Sequence, residues 1–288
     1  MISAMKILIL GAKGYMGGHF LSVFPDALQS TVDIADAGAI AGLLDDTKPD
    51  IVINAVGKTG TPNVDWCEDH KEETFHSNVL GPLVLSEACR TRGIYWVHLA
   101  SGCVYSGDHG GKGFSEDDPP NFSGSFYSRT KQWTDAMLRE FSDPKEGRGG
   151  ILILRIRMPF EVGNHPKNLL SKISRFTRVI DVPNSLSYIP DVLSAALTLI
   201  EHRKTGIYHL VNSGPISLYR IATLYRDLVD PLHQCTAMTE KEALSLTRVP
   251  RSNCVLSTAK LTHEGIVLPI CEERIRECLQ AFAPVGAR

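Results

Sequence analysis

The sequence predicts an α/β protein built on a doubly wound parallel sheet, with a smaller C-terminal lobe. Three observations carry that expectation. Short, continuous apolar runs recur at Lys6–Leu10 (KILIL), Ile51–Ala55 (IVINA), Ile94–Ala100 (IYWVHLA) and Ile151–Ile156 (ILILRI). Stretches with helical patterning separate them. A glycine turn, Gly11-Ala12-Lys13-Gly14-Tyr15-Met16-Gly17, follows the first run directly. Continuous apolarity bounded by turn residues marks a strand buried on both faces. Strands that alternate with helices join into a parallel sheet through right-handed crossovers.

Taken in order, Lys6–Leu10 is the first strand, and Tyr15 to Phe24 a helix that Pro25 ends. Val32–Ile34 is a short strand, and Asp36 caps a helix running through Leu44. Ile51–Ala55 is the next buried strand. Thr74–Arg92 reads as one helix closing at Gly93, a residue suited to a left-handed C-terminal turn. Ile94–Ala100 and Ile151–Ile156 are strands on either side of a helix from about Ser125 to Phe141. On that helix Tyr127 and Lys131 share one face by their i, i+4 spacing. Phe126, Trp133, Met137 and Phe141 form an apolar stripe expected to bury against the sheet. After Met158-Pro159 strand-like runs become sparse. Loops at Glu161–Lys167 and Val182–Ser187 separate candidate helices at Asn168–Thr177, Pro190–Glu201 and Leu218–Leu228. The expected division is a dinucleotide-binding domain over 1–158 and a mainly substrate-binding lobe over 159–288. Some later segments are expected to return to the first domain.

Composition removes several classes. With 43% hydrophobic and 22% charged residues in 288, the chain is neither disordered nor collagen-like. Thirty Lys/Arg against 32 Asp/Glu, with no basic run, lacks the footprint of a nucleic-acid binder. The apolar runs fall short of the ~20 residues of a membrane span. Met1–Leu10 makes a poor signal peptide, because it opens onto a glycine turn. Seven cysteines, an odd number without a CxxC pair, point to a reducing compartment and away from a disulfide framework or a metal ribbon. A cytoplasmic enzyme without a metal is the expectation.

Gly11-x-x-Gly14-x-x-Gly17 allows a tight strand-to-helix turn and close approach of backbone to a pyrophosphate, which the helix N-terminus then faces. Tyr127 is a candidate proton donor, its pKa expected to be lowered by the neighbouring Lys131 ammonium. Ser101 ends a strand at the edge where ligands of such sheets sit.

On these residues the chain resembles the extended short-chain dehydrogenase/reductase family over essentially its whole length. Gly11, Gly14 and Gly17 match its cofactor loop, and Ser101, Tyr127 and Lys131 its Ser–Tyr–Lys triad. Asn54-Ala55-Val56-Gly57 matches its loop after the fourth strand, and Asn78 its structural or cofactor-side asparagine. Within the family it is similar to dTDP-4-dehydrorhamnose reductases and to the 3,5-epimerase/4-reductase part of nucleotide-rhamnose synthases. Four stretches carry this: Pro62–Glu68, Pro120–Ser128, Leu154–Pro159 and Pro250–Asn253.

The resemblance implies a Rossmann-type domain and a bifunctional enzyme that converts an NDP-4-keto-6-deoxy-glucose, UDP- or dTDP-linked, to NDP-L-rhamnose. NADPH is favoured, with Lys13 as a candidate for its 2′-phosphate, and NADH stays open. Implied cofactor contacts are Gly11, Lys13, Gly14, Tyr15, Met16, Gly17, Asp33, Asn54, Ala55, Gly57, Asn78, Tyr127, Lys131 and Met158. Asp33 enters because the stretch between Gly17 and Val32 is short. Implied substrate contacts are Thr59, Cys103, Asn168, Lys172 and Arg251, the last facing the diphosphate. Cys103 and Lys172 are the implied acid/base pair, with His165 as a rival to Lys172. Ser101-Gly102-Cys103 replaces the Thr-Asp-Glu of 4,6-dehydratases, so a separate dehydratase is expected to supply the substrate. A homodimer is allowed. A pure 4-reductase, another nucleotide-sugar epimerase/reductase and a non-catalytic regulatory subunit of the same fold are the alternatives.

Overall fold

The computed structural model describes residues 5–144 and 148–282. Residues 1–4 of the amino-terminal run lie outside the described residues. Two compact units emerge. The first comprises Met1–Val104, Phe122–Arg155 and Ala196–Tyr208; the second comprises Tyr105–Asn121, Ile156–Ala195 and His209–Arg288.

The first unit is organised by a six-stranded sheet. Its strands are β1 (Ile7–Leu10), β2 (Leu28–Ser30), β3 (Ile51–Asn54), β4 (Tyr95–Ser101), β5 (Ile151–Ile156) and the edge strand Gly206–His209, in the order β2-β1-β3-β4-β5-edge. β1 pairs in parallel with β2 and β3, and β3 with β4. All four residues of β1 and of β3, and all seven of β4, are buried. That burial on both faces is why these segments read as unbroken apolar runs. Helices α1 (Tyr15–Val23), α2 (Ala37–Thr47), α3 (Trp66–Asp69), α4 (Lys71–Phe75), α5 (Gly81–Arg92) and α6 (Phe126–Glu140) make the crossovers. Leu8, Leu10, Ile40, Leu44, Val52, Leu85, Trp96 and Ile153 belong to one core cluster.

Local chemistry explains most boundaries. Asp36 caps α2 by accepting a hydrogen bond from the Ala39 N–H at 2.9 Å. Gly93 ends α5 at φ 65°, in the left-handed region where glycine carries no steric penalty. Ser125 caps α6.

Three expectations for this unit need correction. Val32–Ile34 is not a strand: β2 lies earlier, with Leu28 opposite Leu8 and Ser30 opposite Leu10. The chain turns after it because Ser30 Oγ accepts from Val32 N and Asp33 Oδ1 accepts from Ala35 N. The helix expected over Thr74–Arg92 is interrupted by a wider π-type turn, His76–Leu80, between α4 and α5. The apolar stripe of α6 does not bury against the sheet, since Trp133, Met137 and Phe141 are 43%, 46% and 52% exposed. The inward face carries Tyr127, Ser128, Thr130, Lys131, Thr134, Asp135 and Leu138 instead. Polar supports hold that face: Thr134 Oγ1 donates to the Asn78 carbonyl, and Asp135 pairs with Arg155.

The second unit holds only short strands. Pro159–Phe160 pairs with Ser187–Tyr188, and Arg178–Ile180 with Thr236–Met238. The helix expected at Asn168–Thr177 shrinks to α7 (Leu170–Ile173), because the chain tightens into turns at Arg175 and Phe176 and then enters Arg178–Ile180. α8 (Ile189–Glu201) carries the chain back to the first unit, and α9 spans Leu218–Leu228 as expected. Phe160, Leu170, Ile173, Ile221, Leu224, Ile275 and Cys278 belong to its core. Among the described residues no helix is long and apolar enough to cross a membrane.

Candidate functional site

The glycine turn is built so that side chains cannot enter it. Gly11 has φ 80°, and a Cβ on it would lie 2.9 Å from Val56 N. A Cβ on Gly17 would lie 2.0 Å from the Gly11 carbonyl oxygen. Gly14 sits at the start of α1 without a side-chain cap, and its N–H closes the turn onto Gly11 O at 2.9 Å. The first N–H groups of α1 therefore have no capping side chain, a ready partner for an anion. Lys13 is exposed on this turn, Tyr15 and Met16 are half-buried in the first turn of α1, and Gly17 is buried.

β3 ends beside this turn. Asn54, fully buried, donates from Nδ2 to His98 Nδ1 at 3.2 Å and accepts from Val56 N at 3.0 Å. It thereby shapes the Ala55–Gly57 exit that Gly11 packs against. Asn78, on the π-type turn, clamps the same loop: its Oδ1 accepts from Lys58 N at 2.7 Å and its Nδ2 donates to Lys58 O at 2.9 Å. A second Nδ2 contact reaches Thr130 on α6. A Cβ on Gly57 would be 3.5 Å from both Asn78 Oδ1 and Lys131 Nζ. The loop thus touches the glycine turn at one end and the Lys131 ammonium at the other. Thr59, two residues further, is exposed.

Ser101, at the last position of β4, is 5% exposed, and Tyr127 is 7% exposed. The Ser101 hydroxyl is near enough to Tyr127 to lower the pKa of its phenol. The Ser101 Oγ also accepts from the Cys103 N–H at 3.1 Å, and Cys103 is only half-buried. Burial pushes the Tyr127 phenol above its ordinary range; Cys103 adds to that, and the nearby Ser101 hydroxyl offsets part. A lowering by Lys131 is not what the structure shows: burial dominates, so the phenol is held as a proton donor. Lys131 is itself buried, which pulls its ammonium below the usual lysine range, while Asp135 works the other way. Ser101, Tyr127, Lys131 and Cys103 are therefore brought together.

Asp33 lies beyond β2, paired with His76 Nε2 at 2.7 Å and held low chiefly by the Ala35 N–H. Beside it is a cleft of about 460 Å³ whose lining includes Val32, Ile34, Val56, Lys58 and His76.

The remaining expected residues lie in the second unit. Met158 adopts φ 42° directly before Pro159. Asn168 is buried, and both its amide hydrogens go to loop carbonyls, Glu161 O at 2.9 Å and Gly163 O at 2.8 Å. It holds the 161–168 loop in shape. His165 accepts from Lys167 N through Nδ1. Lys172 lies in the last turn of α7, half-buried, with its pKa lowered by burial and then by Lys167. Arg251 is half-buried, and its neighbour Ser252 accepts from the buried Arg157 at 3.1 Å.

Sequence reasoning passed over His98 and Asp135, both of which face Lys131. His98 was hidden inside an apolar run, and Asp135 was legible as the i+4 neighbour of Lys131. Among the described residues no group of three or more His, Cys, Asp or Glu could hold a metal ion.

A family model described as the RmlD substrate binding domain matches residues 5–283. A bifunctional dTDP-4-dehydrorhamnose 3,5-epimerase/dTDP-4-dehydrorhamnose reductase of Arabidopsis thaliana is 36% identical over 273 residues, covering 91% of this chain and 88% of that protein. A trifunctional UDP-glucose 4,6-dehydratase/3,5-epimerase/4-keto-L-rhamnose reductase of the same plant is 34% identical over 272 residues. The match covers 91% of this chain and 40% of that protein. The crystal structure of the L780 UDP-rhamnose synthase from Acanthamoeba polyphaga mimivirus superposes with a TM-score of 0.89 at 29% identity, covering 96% of this chain and 99% of that one.

Proposed function

Because this chain belongs to the family described as the RmlD substrate binding domain, we propose that it epimerises C3 and C5 of an NDP-4-keto-6-deoxy-glucose and reduces C4 with NADPH, forming an NDP-L-rhamnose. The observation that carries the reading is the gathering of Ser101, Tyr127, Lys131 and Cys103 at the end of β4, joined to the glycine turn through the Ala55–Gly57 loop.

The glycine turn fits a dinucleotide, since the space a Cβ would need is already filled by backbone at Gly11 and Gly17. Gly11, Gly14 and Gly17 with the N-terminus of α1 would take the pyrophosphate, the cleft at Asp33 and His76 the adenosine end, and Lys13 a 2′-phosphate. Lys131 would bind the nicotinamide ribose. NADPH, when bound, supplies the hydride for C4. Tyr127 donates its phenolic proton to the C4 oxygen, Ser101 hydrogen-bonds that oxygen, and the Lys131 charge stabilises the phenolate left behind.

Epimerisation uses the acidity that the 4-keto group confers on C3 and C5. A base on one face removes the proton, Ser101 and Tyr127 hold the enolate oxygen, and an acid on the other face returns a proton. We assign Cys103 and Lys172 to these acid/base roles. Burial and Lys167 lower the Lys172 pKa, so its ammonium gives up a proton more readily than that of an exposed lysine. Arg251 is assigned to the diphosphate and Thr59 to the sugar, while Asn168 acts through the loop it holds.

UDP- and dTDP-linked sugars both suit this reading, and a separate 4,6-dehydratase supplies them. The seven free cysteines suit a reducing compartment, the cytoplasm. The exposed Phe75, Trp133, Met137 and Phe141 form an apolar face on the first unit, with Phe75 and Trp133 in edge contact at 6.5 Å. We assign that face to a second copy of the chain. NADPH oxidation with UDP- or dTDP-4-keto-6-deoxy-glucose tests the reading. Turnover of either sugar supports it. Turnover only of a sugar already epimerised would reduce the assignment to a 4-reductase, and no turnover of any would leave the regulatory-subunit alternative.

A further inference from the structure

Lys131 carries its charge where a charge is expensive. It is 4% exposed on α6, and burial is the largest influence on its ammonium. The groups that act on it come from several elements. His98 on β4 is neutral, held well below the usual histidine range by burial and by Lys131 itself, so it offers no counter-charge. Cys103 follows β4, and Tyr127 lies one turn back on α6. Asp135 lies one turn ahead, on the same face by its i, i+4 spacing.

Asp135 is 1% exposed. Arg155, on β5 and 2% exposed, donates from Nε to Asp135 Oδ2 at 2.8 Å. The other carboxylate oxygen, Oδ1, is buried and takes no hydrogen bond. As a device for tying α6 to β5 this is poor. Buried ion pairs are often matched or bettered by apolar residues of equal volume, and an unmet buried oxygen adds a further cost. As a device for holding negative charge beside Lys131 it is well made. Burial raises the Asp135 pKa, Arg155 pulls it back, Lys131 and Arg139 add to that pull, and Arg155 cannot lose its own proton.

We propose that Asp135, pinned by Arg155, is a positioning residue of the reducing site, and that its carboxylate keeps Lys131 an ammonium through the pH range in which the enzyme works. What the charge is for rests on the function proposed above; that the charge is kept rests on this chain alone. Without the carboxylate, two cations, Lys131 and Arg155, remain in a dry site, and only Lys131 can release a proton.

The test is an NMR titration of 13C-labelled lysine in the full chain, with the Lys131 signal identified by its loss in Lys131→Met. In the wild-type protein the Lys131 signal should stay in its charged position across the pH range of activity. In Asp135→Asn the neutral fraction at a given pH should rise about tenfold or more. The alkaline limb of the pH–kcat profile for reduction should move down by the matching amount, and Asp135→Glu should restore both. A wild-type Lys131 already neutral at working pH would overturn the proposal. So would an Asp135→Asn protein that folds with the Lys131 titration unmoved, even if activity falls equally at all pH, since that is the behaviour of a mere tie. If Asp135→Asn does not fold, the wild-type titration and the Asp135→Glu profile decide. Absence of sugar turnover in the wild-type protein would count against the proposed function, while the titration would still judge the charge.

Discussion

Two adjacent glycines should respond to the same substitution with opposite sign. In Gly17→Ala the new Cβ would meet the Gly11 carbonyl oxygen at 2.0 Å and its carbon at 2.7 Å, more than an ångström inside ordinary contact. Gly11 cannot retreat, because its oxygen accepts from Gly14 N and its α-carbon backs onto Val56 N and Ala55. The turn must therefore deform, at a cost near the top of the overpacking range, about 3 kcal/mol. In Gly18→Ala the nearest atom to the new Cβ is Ala12 O at 3.6 Å, an ordinary contact. That substitution should gain about 0.5–1 kcal/mol from the helix-interior preference for alanine over glycine. Urea denaturation followed by circular dichroism reads both. NADPH fluorescence titration should show at least a tenfold loss of affinity, by the same strain, in Gly17→Ala alone. Equal midpoints and equal affinities for Gly17→Ala and wild type would refute the packing account of the turn.

Tyr127→Phe removes the proton donor and should lower kcat for reduction by about 10²–10⁴, with NADPH affinity unchanged by titration. His98 is neutral and buried in the folded chain but free to protonate below about 6.5, the ordinary histidine value, when unfolded. Stability should therefore fall as pH drops below that value, by about 1.4 kcal/mol per pH unit from this group; denaturation midpoints from pH 7 to 5 should slope less in His98→Gln. Trp133→Glu places a charge on the exposed apolar face of α6 and should turn a dimer into a monomer by light scattering, leaving NADPH binding intact.

The parallel sheet was legible because its strands are buried on both faces, so β1, β3, β4 and β5 read as apolar runs with turn residues between. The glycine turn was legible for the same steric reason that makes it work. β2 was not: Val32–Ile34 has the more strand-like composition, and only pairing with Leu8 and Leu10 places the strand at Leu28–Ser30. Apolarity marks Trp133 and Met137 of α6 as inward, whereas the inward side is polar and held by Asn78 and Arg155. The membership of Tyr105–Asn121 in the second unit depends on distant pairings, such as Gly107 with Cys254 and Phe114 with Leu256, which no local pattern announces. Of the site, the i, i+4 spacing of Tyr127 and Lys131 announced their shared face on α6, while the charge arrangement behind Lys131 needed the fold.

In the proposed function one chain both epimerises and reduces. Incubation of the protein with NADPH and UDP- or dTDP-4-keto-6-deoxy-glucose in D₂O, followed by proton NMR of the product, tests it most directly. The expected product is an NDP-L-rhamnose carrying deuterium at C3 and C5, with that label lost in Cys103→Ala or Lys172→Met. A reduced product with protium at both carbons and the original configuration would contradict it.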